Sequence, residues 1–324
     1  MAVSLGPLVN CIETELHEVA NLFESELQSD LSCVGKLVRH VSRFRGKMLR
    51  PALVLLSGKA CGVTTAAHVT IATVVEMAHM ATLVHDDVLD DAELRRKGAT
   101  LNHLRGNEAA VLLGDYLISH SYHLCSSLCS QIASRTIAAT TNEVCEGELL
   151  QIDNRRNFAL DEDTYMQIIT RKTASLCGAC CLLGARFSGA SDEITQNMAT
   201  YGRRIGEAFQ IQDDVLDLVG DIRDVGKTLG TDIEKGKMTL PMIHFMNTAP
   251  RQHRDLLLAL LSGNEPDRAE KVRNLILPSR SVEYARDRAR TLIDEAIACL
   301  DPLPTSDAKS SLCAAARFVV DRPL

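Results

Sequence analysis

The chain has 324 residues, 46% of them hydrophobic and 24% charged, with a formal net charge of −7. That composition suits a globular protein with a sizeable core, and the acidic balance argues against a nucleic-acid partner, which calls for a basic surface. Aromatic residues make up only 4% and Trp is absent, so the core has to be built from Leu, Ile, Val, Ala and Met, which are compatible with helices.

In chain order, "NCIETELHEVANLFESEL" sets Ile12, Leu16, Val19, Leu22 and Leu27 near one helical face with acids opposite. "VTIATVVEMAHMATLVHDDVL" then runs for several turns without Gly or Pro. Breaks rich in Gly, Pro, Asn and Asp fall at "RFRGKMLRP", "RRKGATLNHLRGN", "DNRRNFALDEDTY", "SGASDE", "GDIRDVGKTLGTDIEKGKMTLP", "SGNEPDR" and "LPSRS". Alternating strand patterns are scarce. The expected fold is all-α, with roughly ten or more helices, and no break is long enough for a linker, so residues 1–324 read as a single domain. No apolar run reaches the ~18 to 20 residues of a bilayer span, so contact with lipid is open but crossing is not expected.

Eleven cysteines, an odd number, sit largely in helical patterns and no basic-then-apolar leader opens the chain. They read as reduced, mostly buried thiols of a cytoplasmic protein. The run holding Cys177, Cys180 and Cys181 has CxxC spacing, but without a second CxxC it reads as small-residue helix packing rather than a zinc site.

The pentapeptide DDVLD occurs twice, at Asp86–Asp90 and Asp213–Asp217. On a helix, residues i, i+1 and i+4 lie within about 100° of arc, so each copy presents three carboxylates to one region. His79 lies two turns, roughly 10 Å, before Asp86 on nearly the same stripe. Phe209 and Gln210 precede Asp213 by about one turn. Either copy alone could be a solvated helix end. Facing each other, the two would form a cage of six carboxylates, and oxygen-only donors of that kind suit Mg²⁺ with substrate phosphate completing its shell. Cations fall in breaks or at helix ends: Lys47 and Arg50, Arg95 and Arg96, Lys172 beside Thr173, Lys227 and Lys237. Together these features fit polyphosphate held through metal.

The segments "GKMLRP", "HMATLVHDDVLDDAELRR", "GNEAAVLLGDYL", "GELLQ", "RKTASL", "FQIQDDVLD" and "GKTLGTDIEKGKMTLP" occur in the order and approximate spacing of the trans-prenyltransferases, which the chain resembles over essentially its whole length. The resemblance implies the isoprenoid synthase fold, with helices around a deep central cavity, in a homodimer. It implies that isopentenyl diphosphate is condensed with an allylic diphosphate (farnesyl or geranylgeranyl), with three Mg²⁺ ions per substrate-loaded site. Asp86, Asp87, Asp90, Asp213, Asp214 and Asp217 match the two metal-holding motifs. Arg95, Lys172, Lys227 and Lys237 match the allylic diphosphate contacts. Gly46, Lys47, Arg50, His79 and Arg96 match the isopentenyl diphosphate pocket. Thr173, Phe209 and Gln210 match groups at the reacting centre, Gln151 a supporting polar residue, and Arg322 a C-terminal basic residue that contacts substrate in some members. By the same resemblance Ala78, Ala81 and Thr82 line the product tunnel. Being small, they imply a long, octaprenyl-like chain of the kind that makes quinone tails, with a geranylgeranyl or farnesylgeranyl product as the alternative. Contact with a membrane surface at product release is left open. A class I terpene cyclase would lack the isopentenyl diphosphate pocket, and a non-catalytic subunit would have lost one or both aspartate motifs.

Overall fold

The computed structural model describes residues 9–43, 46, 48–95, 98–220, 230–263, 265 and 267–321. After a 3-10 turn at Asn10–Ile12 come α1 (Glu13–Glu26), α2 (Ser32–Ser42), α3 (Leu49–Cys61) and α4 (Ala66–Leu89). A minimal antiparallel pair, β1 (Leu94–Arg95) and β2 (Gly98–Ala99), leads to α5 (Leu101–Arg105), α6 (Asn107–Ser126) and α7 (Gln131–Asp153). Helix α8 (Glu162–Ile169) passes through a π-helical turn at Thr170–Ala174 into α9 (Ser175–Phe187), and α10 (Asp192–Val219) follows. The short α11 (Thr231–Glu234) precedes α12 (Leu240–Thr248), α13 (Arg251–Ser262), α14 (Arg268–Ile276), α15 (Ser281–Ala298) and α16 (Asp307–Val320). The all-α expectation holds.

Local chemistry sets the helix ends. Ser191 and Asp161 accept hydrogen bonds from the backbone N–H of Ile194 and Thr164 and so cap α10 and α8. Thr65 and His68 cap α4 reciprocally. That helix is apolar on nearly every face and lies in the interior. One cluster of buried side chains runs from Ile12 through Ala81, Cys180 and Ile211 to Val319.

Two expectations need correction. Ala66–Leu89 and the continuous Glu162–Phe187 are long and apolar enough to cross a membrane by length and composition, contrary to the sequence reading, but 72% of each apolar window is buried inside the protein. The cysteines are all free, yet only Cys125, Cys177, Cys180 and Cys181 are buried, while Cys33, Cys129 and Cys145 are exposed. Helical periodicity gives each residue a face but does not say which faces are covered. The Cys177–Cys181 stretch does serve close packing: a Cβ at Gly202 would lie 2.3 Å from the Cys177 carbonyl oxygen, and one at Gly184 would lie 2.3 Å from that of Val54.

Candidate active site

The first DDVLD closes α4. Asp87 is buried and Asp90 is the C-cap, its N–H donating to the Asp86 carbonyl at 2.9 Å. The turn after Asp90, with Asp91 left-handed at φ 47° and the Ala92 N–H on the Asp87 carbonyl at 2.9 Å, brings Arg95 of β1 back to Asp87, with Nη2 at 2.8 Å and Nε at 2.9 Å from Oδ1. Burial pushes the Asp87 carboxyl up, while Arg95 pulls it back. Asp86 has no ion pair among the described residues, and its carboxyl is raised by burial against the pull of Lys172. At Asp90 burial also raises the carboxyl, but Lys237, Lys235 and Lys172 together outweigh it and the net shift is downward.

Lys172 lies in the π-helical turn, a wide turn of the kind often found at functional sites. Two glycines let neighbouring helices close on it. A Cβ at Gly147 of α7 would lie 2.5 Å from the Lys172 amide nitrogen, and one at Gly206 of α10 would lie 2.5 Å from Ala174 Cα. Two hydroxyls stitch the turn to α10: Thr170 donates to Glu207 at 2.8 Å and Thr173 to Gln210 at 3.0 Å. The Lys172 ammonium pairs with Glu148, whose other oxygen accepts from Gln151 Nε2 at 3.0 Å. Burial works against the charged lysine, but Asp86 and Glu148 override it and hold its pKa above the ordinary value.

The second DDVLD lies near the end of α10, and Asp214 and Asp217 are engaged by protein donors. Asp214 accepts from Tyr165 Oη at 2.7 Å and from Gln210 Nε2 at 2.8 Å, and burial with nearby Asp232 pushes its carboxyl well up. Asp217 accepts from Thr231 Oγ1 at 3.0 Å and from the Asp232 N–H at 3.1 Å, which fixes the start of α11. Asp232 is raised to about 6 by burial and by Asp217, against Lys237 and Lys235. Lysines tie the first motif to α11: Lys235 lies 2.9 Å and Lys237 4.0 Å from Asp90, and Lys237 lies 3.9 Å from Asp232, whose N–H in turn reaches Asp217 of the second motif. A cavity of about 100 Å³ sits among Lys172, Thr173, Gln210, Asp214, Asp232 and Lys237.

The expected cage of six carboxylates is therefore not preassembled. Among the described residues no three His, Cys, Asp or Glu side chains are grouped to hold a metal. Lysines, Arg95, Tyr165 and backbone donors occupy oxygens that the sequence pattern left open for cations. Arg50 and His79 do meet, Nη1 to Nε2 at 3.0 Å. Ala81 is fully buried, Ala78 is 7% exposed, and the Thr82 hydroxyl turns back to the His79 carbonyl at 2.8 Å. Phe209 is partly buried against the core. Lys47, Arg96, Lys227 and Arg322 lie outside the described residues. Sequence reading missed Glu148, Asp232 and Lys235, although "GELLQ" and "GTDIEKGK" contain them. It also missed Tyr165 and Arg155, for which periodicity gave no sign.

An all-helical core that brings two aspartate clusters together with Arg95, Lys172, Lys235 and Lys237 has the charge pattern of a site for a polyphosphate substrate. Residues 32–277 match the model of the polyprenyl synthetase family. The octaprenyl diphosphate synthase of Escherichia coli (strain K12) is 36% identical over 298 residues, covering 92% of both chains. The crystal structure of a decaprenyl diphosphate synthase from Rhodobacter capsulatus superposes with a TM-score of 0.93 at 31% identity, covering 98% of each chain. That of a polyprenyl synthase from Caulobacter crescentus CB15, complexed with calcium and isoprenyl diphosphate, gives 0.92 at 30% identity and 99% coverage of each.

The chain belongs to the polyprenyl synthetase family. It is a transferase of the trans-polyprenyl diphosphate synthase type with the isoprenoid synthase fold. The family acts on isopentenyl and allylic diphosphates and typically uses a divalent metal.

Proposed function

We propose that this chain is a Mg²⁺-dependent long-chain synthase that extends farnesyl or geranylgeranyl diphosphate with isopentenyl diphosphate to an octaprenyl-like, all-trans product for quinone side chains. The observation that carries the reading is the chain of contacts from Asp90 of the first motif through Lys237 and Asp232 to Asp217 of the second, with Lys235 and Lys172 alongside. Asp86, buried enough for its carboxyl to rise and without an ion pair among the described residues, is an oxygen donor suited to a hard cation. Asp86, Asp87, Asp90, Asp213, Asp214 and Asp217 would hold the ions, three when substrate is bound. Asp214 and Asp217, with both oxygens engaged, would have to release a protein donor to do so. When bound, Mg²⁺ neutralises the growing charge of the departing diphosphate.

The chain's own groups do the rest. Lys172, held charged by Asp86 and Glu148, faces the leaving diphosphate with Lys237 and Arg95, and Lys227 belongs to the same set by resemblance. Gly46, Lys47, Arg50, His79 and Arg96 bind isopentenyl diphosphate, with Arg50 oriented through His79. Thr173, Gln210 and Phe209 line the reacting centre, and the Thr173–Gln210–Asp214–Tyr165 chain of hydrogen bonds fixes the orientation of Thr173 and Gln210. Apolar helices exclude water from the allylic cation. Small side chains at Ala78, Ala81 and Thr82 leave the tunnel open to a long product.

The chain acts as a single domain over 1–324. Exposed apolar side chains on α6 and α7, among them Leu112, Tyr122, Ile132 and Leu149, support a homodimer. Eleven free thiols support a cytoplasmic setting. The test is to incubate the pure chain with Mg²⁺, labelled isopentenyl diphosphate and farnesyl or geranylgeranyl diphosphate, and to size the dephosphorylated products. Absence of elongation refutes the enzyme reading, and a product that stops at geranylgeranyl length refutes the long-chain one.

A further inference from the structure

Around Asp90 the cations outnumber the acceptors. Lys235 Nζ takes Oδ2 at 2.9 Å, while Oδ1 is shared at longer range by Arg155 Nη2 at 3.7 Å and Lys237 Nζ at 4.0 Å. Arg155 is the misfit of the three. Its Nε and Nη2 are buried and have no hydrogen-bond partner among the described residues, and 3.7 Å is too long for a hydrogen bond. A guanidinium pays heavily for buried donors left without an acceptor.

The backbone, not the head group, holds it there. Asn154 ends α7 with its side-chain amide on the Leu150 carbonyl at 2.9 Å. The next turn is pinned to the turn after α11 by the Arg156 N–H, which donates to the Gly236 carbonyl at 2.8 Å. Both residues of that contact are left-handed, Arg156 at φ 63° and Gly236 at φ 65°, and a Cβ at Gly236 would lie 2.8 Å from Arg156 Cγ. Two turns distant in sequence are thus held together with Arg155 and Lys235 on the same carboxylate. Asn154, Asp232 and Lys237, which flank this corner, line the cavity beside Lys172.

We infer that Arg155, with Lys235 beside it, is a phosphate-binding element of this site, and that its unfilled donors take oxygens of the diphosphate. A planar fork of N–H groups matches phosphate oxygens in pairs, which a lysine cannot do. This rests on the reading of the site as a diphosphate site.

The experiment is titration calorimetry of inorganic diphosphate into the full chain with excess Mg²⁺. Arg155→Leu should weaken binding by about tenfold to a hundredfold, the span expected for losing a charge-assisted hydrogen bond. Arg155→Lys should fall between, Lys235→Met should weaken binding several-fold, and Arg251→Gln, remote in sequence and 88% exposed, should bind as wild type. Wild-type affinity in Arg155→Leu overturns the inference. If Arg155→Leu lacks the native far-UV CD spectrum, Arg155→Lys and Arg155→Gln decide the matter in the same way. Elongation by the wild type is measured alongside. Binding without elongation removes the functional reading and leaves the Arg155 comparison valid, elongation with unchanged Arg155→Leu binding removes only this inference, and no binding by the wild type removes both.

Discussion

One methyl group added at Gly147 should do more damage than the same change at Gly35, although both glycines are buried and lie within helices. At Gly147 the new Cβ would sit 2.5 Å from the Lys172 amide nitrogen, 2.8 Å from Arg171 Cβ and 3.0 Å from the Arg171 carbonyl carbon, none of them the mobile end of a side chain. At Gly35 the nearest atom is Arg39 Nη1 at 3.3 Å, the far end of a flexible chain. Replacing a helical glycine by alanine gains about 1 kcal/mol of helix propensity, which Gly35→Ala should keep in large part. Overpacking costs about 1–3 kcal/mol, so Gly147→Ala should be destabilised on balance by up to about 2 kcal/mol. Relief at Gly147 requires the π-helical turn to move, and Lys172 and Thr173 move with it. A displacement near 1 Å at reacting groups can cost on the order of a hundredfold in rate. Urea unfolding followed by far-UV CD, with steady-state elongation on the same samples, measures both effects. Wild-type stability and turnover in Gly147→Ala would refute the close-packing account of the π turn.

Asp86→Asn and Asp213→Asn should each lower turnover by orders of magnitude while the CD spectrum and unfolding midpoint stay near wild type; full activity in either would remove its metal role. Ala81→Phe should shorten the product, read by sizing the dephosphorylated chains, and because Ala81 is fully buried it should also cost about 1–3 kcal/mol; an unchanged product length would end the tunnel reading. His68 is buried, with its Nδ1 accepting the Thr65 N–H at 3.0 Å and its Nε2 donating to the Gly184 carbonyl at 3.0 Å, and burial lowers its pKa from the ordinary 6.5. The unfolded chain therefore binds the proton more tightly. This contribution to stability should be present above pH 6.5 and be lost as the pH falls from there through the folded-state pKa. His68→Gln should flatten the pH dependence of the unfolding free energy in that window, and an unchanged slope would refute the assignment.

Much of the site was legible because its chemistry repeats. Two DDVLD segments, Lys172 beside Thr173 and the "GTDIEKGK" loop are each short patterns whose residue types allow few uses. What escaped the sequence depends on three-dimensional closure. Periodicity places Asp214 on a helix face but cannot show that Tyr165, 49 residues away, donates to it. The π-helical turn at Thr170–Ala174 has no signature in propensity, and the close approach of two helices to it at Gly147 and Gly206 is a tertiary fact. The approach of protein cations to these acids escaped for the same reason. Three acids on one face repel one another unless cations intervene, and Arg155, Lys235 and Lys237 come from segments whose approach to Asp90 is a tertiary fact.

The uneven burial of the cysteines gives the protein a built-in clock of its own opening. Cys33, on α2, is exposed and should be modified by a thiol reagent from the first mixing. Cys125 and the trio Cys177, Cys180 and Cys181 are buried, and burial raises their thiols above the ordinary range, so they should react only when the α6 and α9 packing comes apart. The mass gained at late times then dates the opening of the α6 and α9 packing, α9 being the helix that follows Lys172, independently of any catalytic assay.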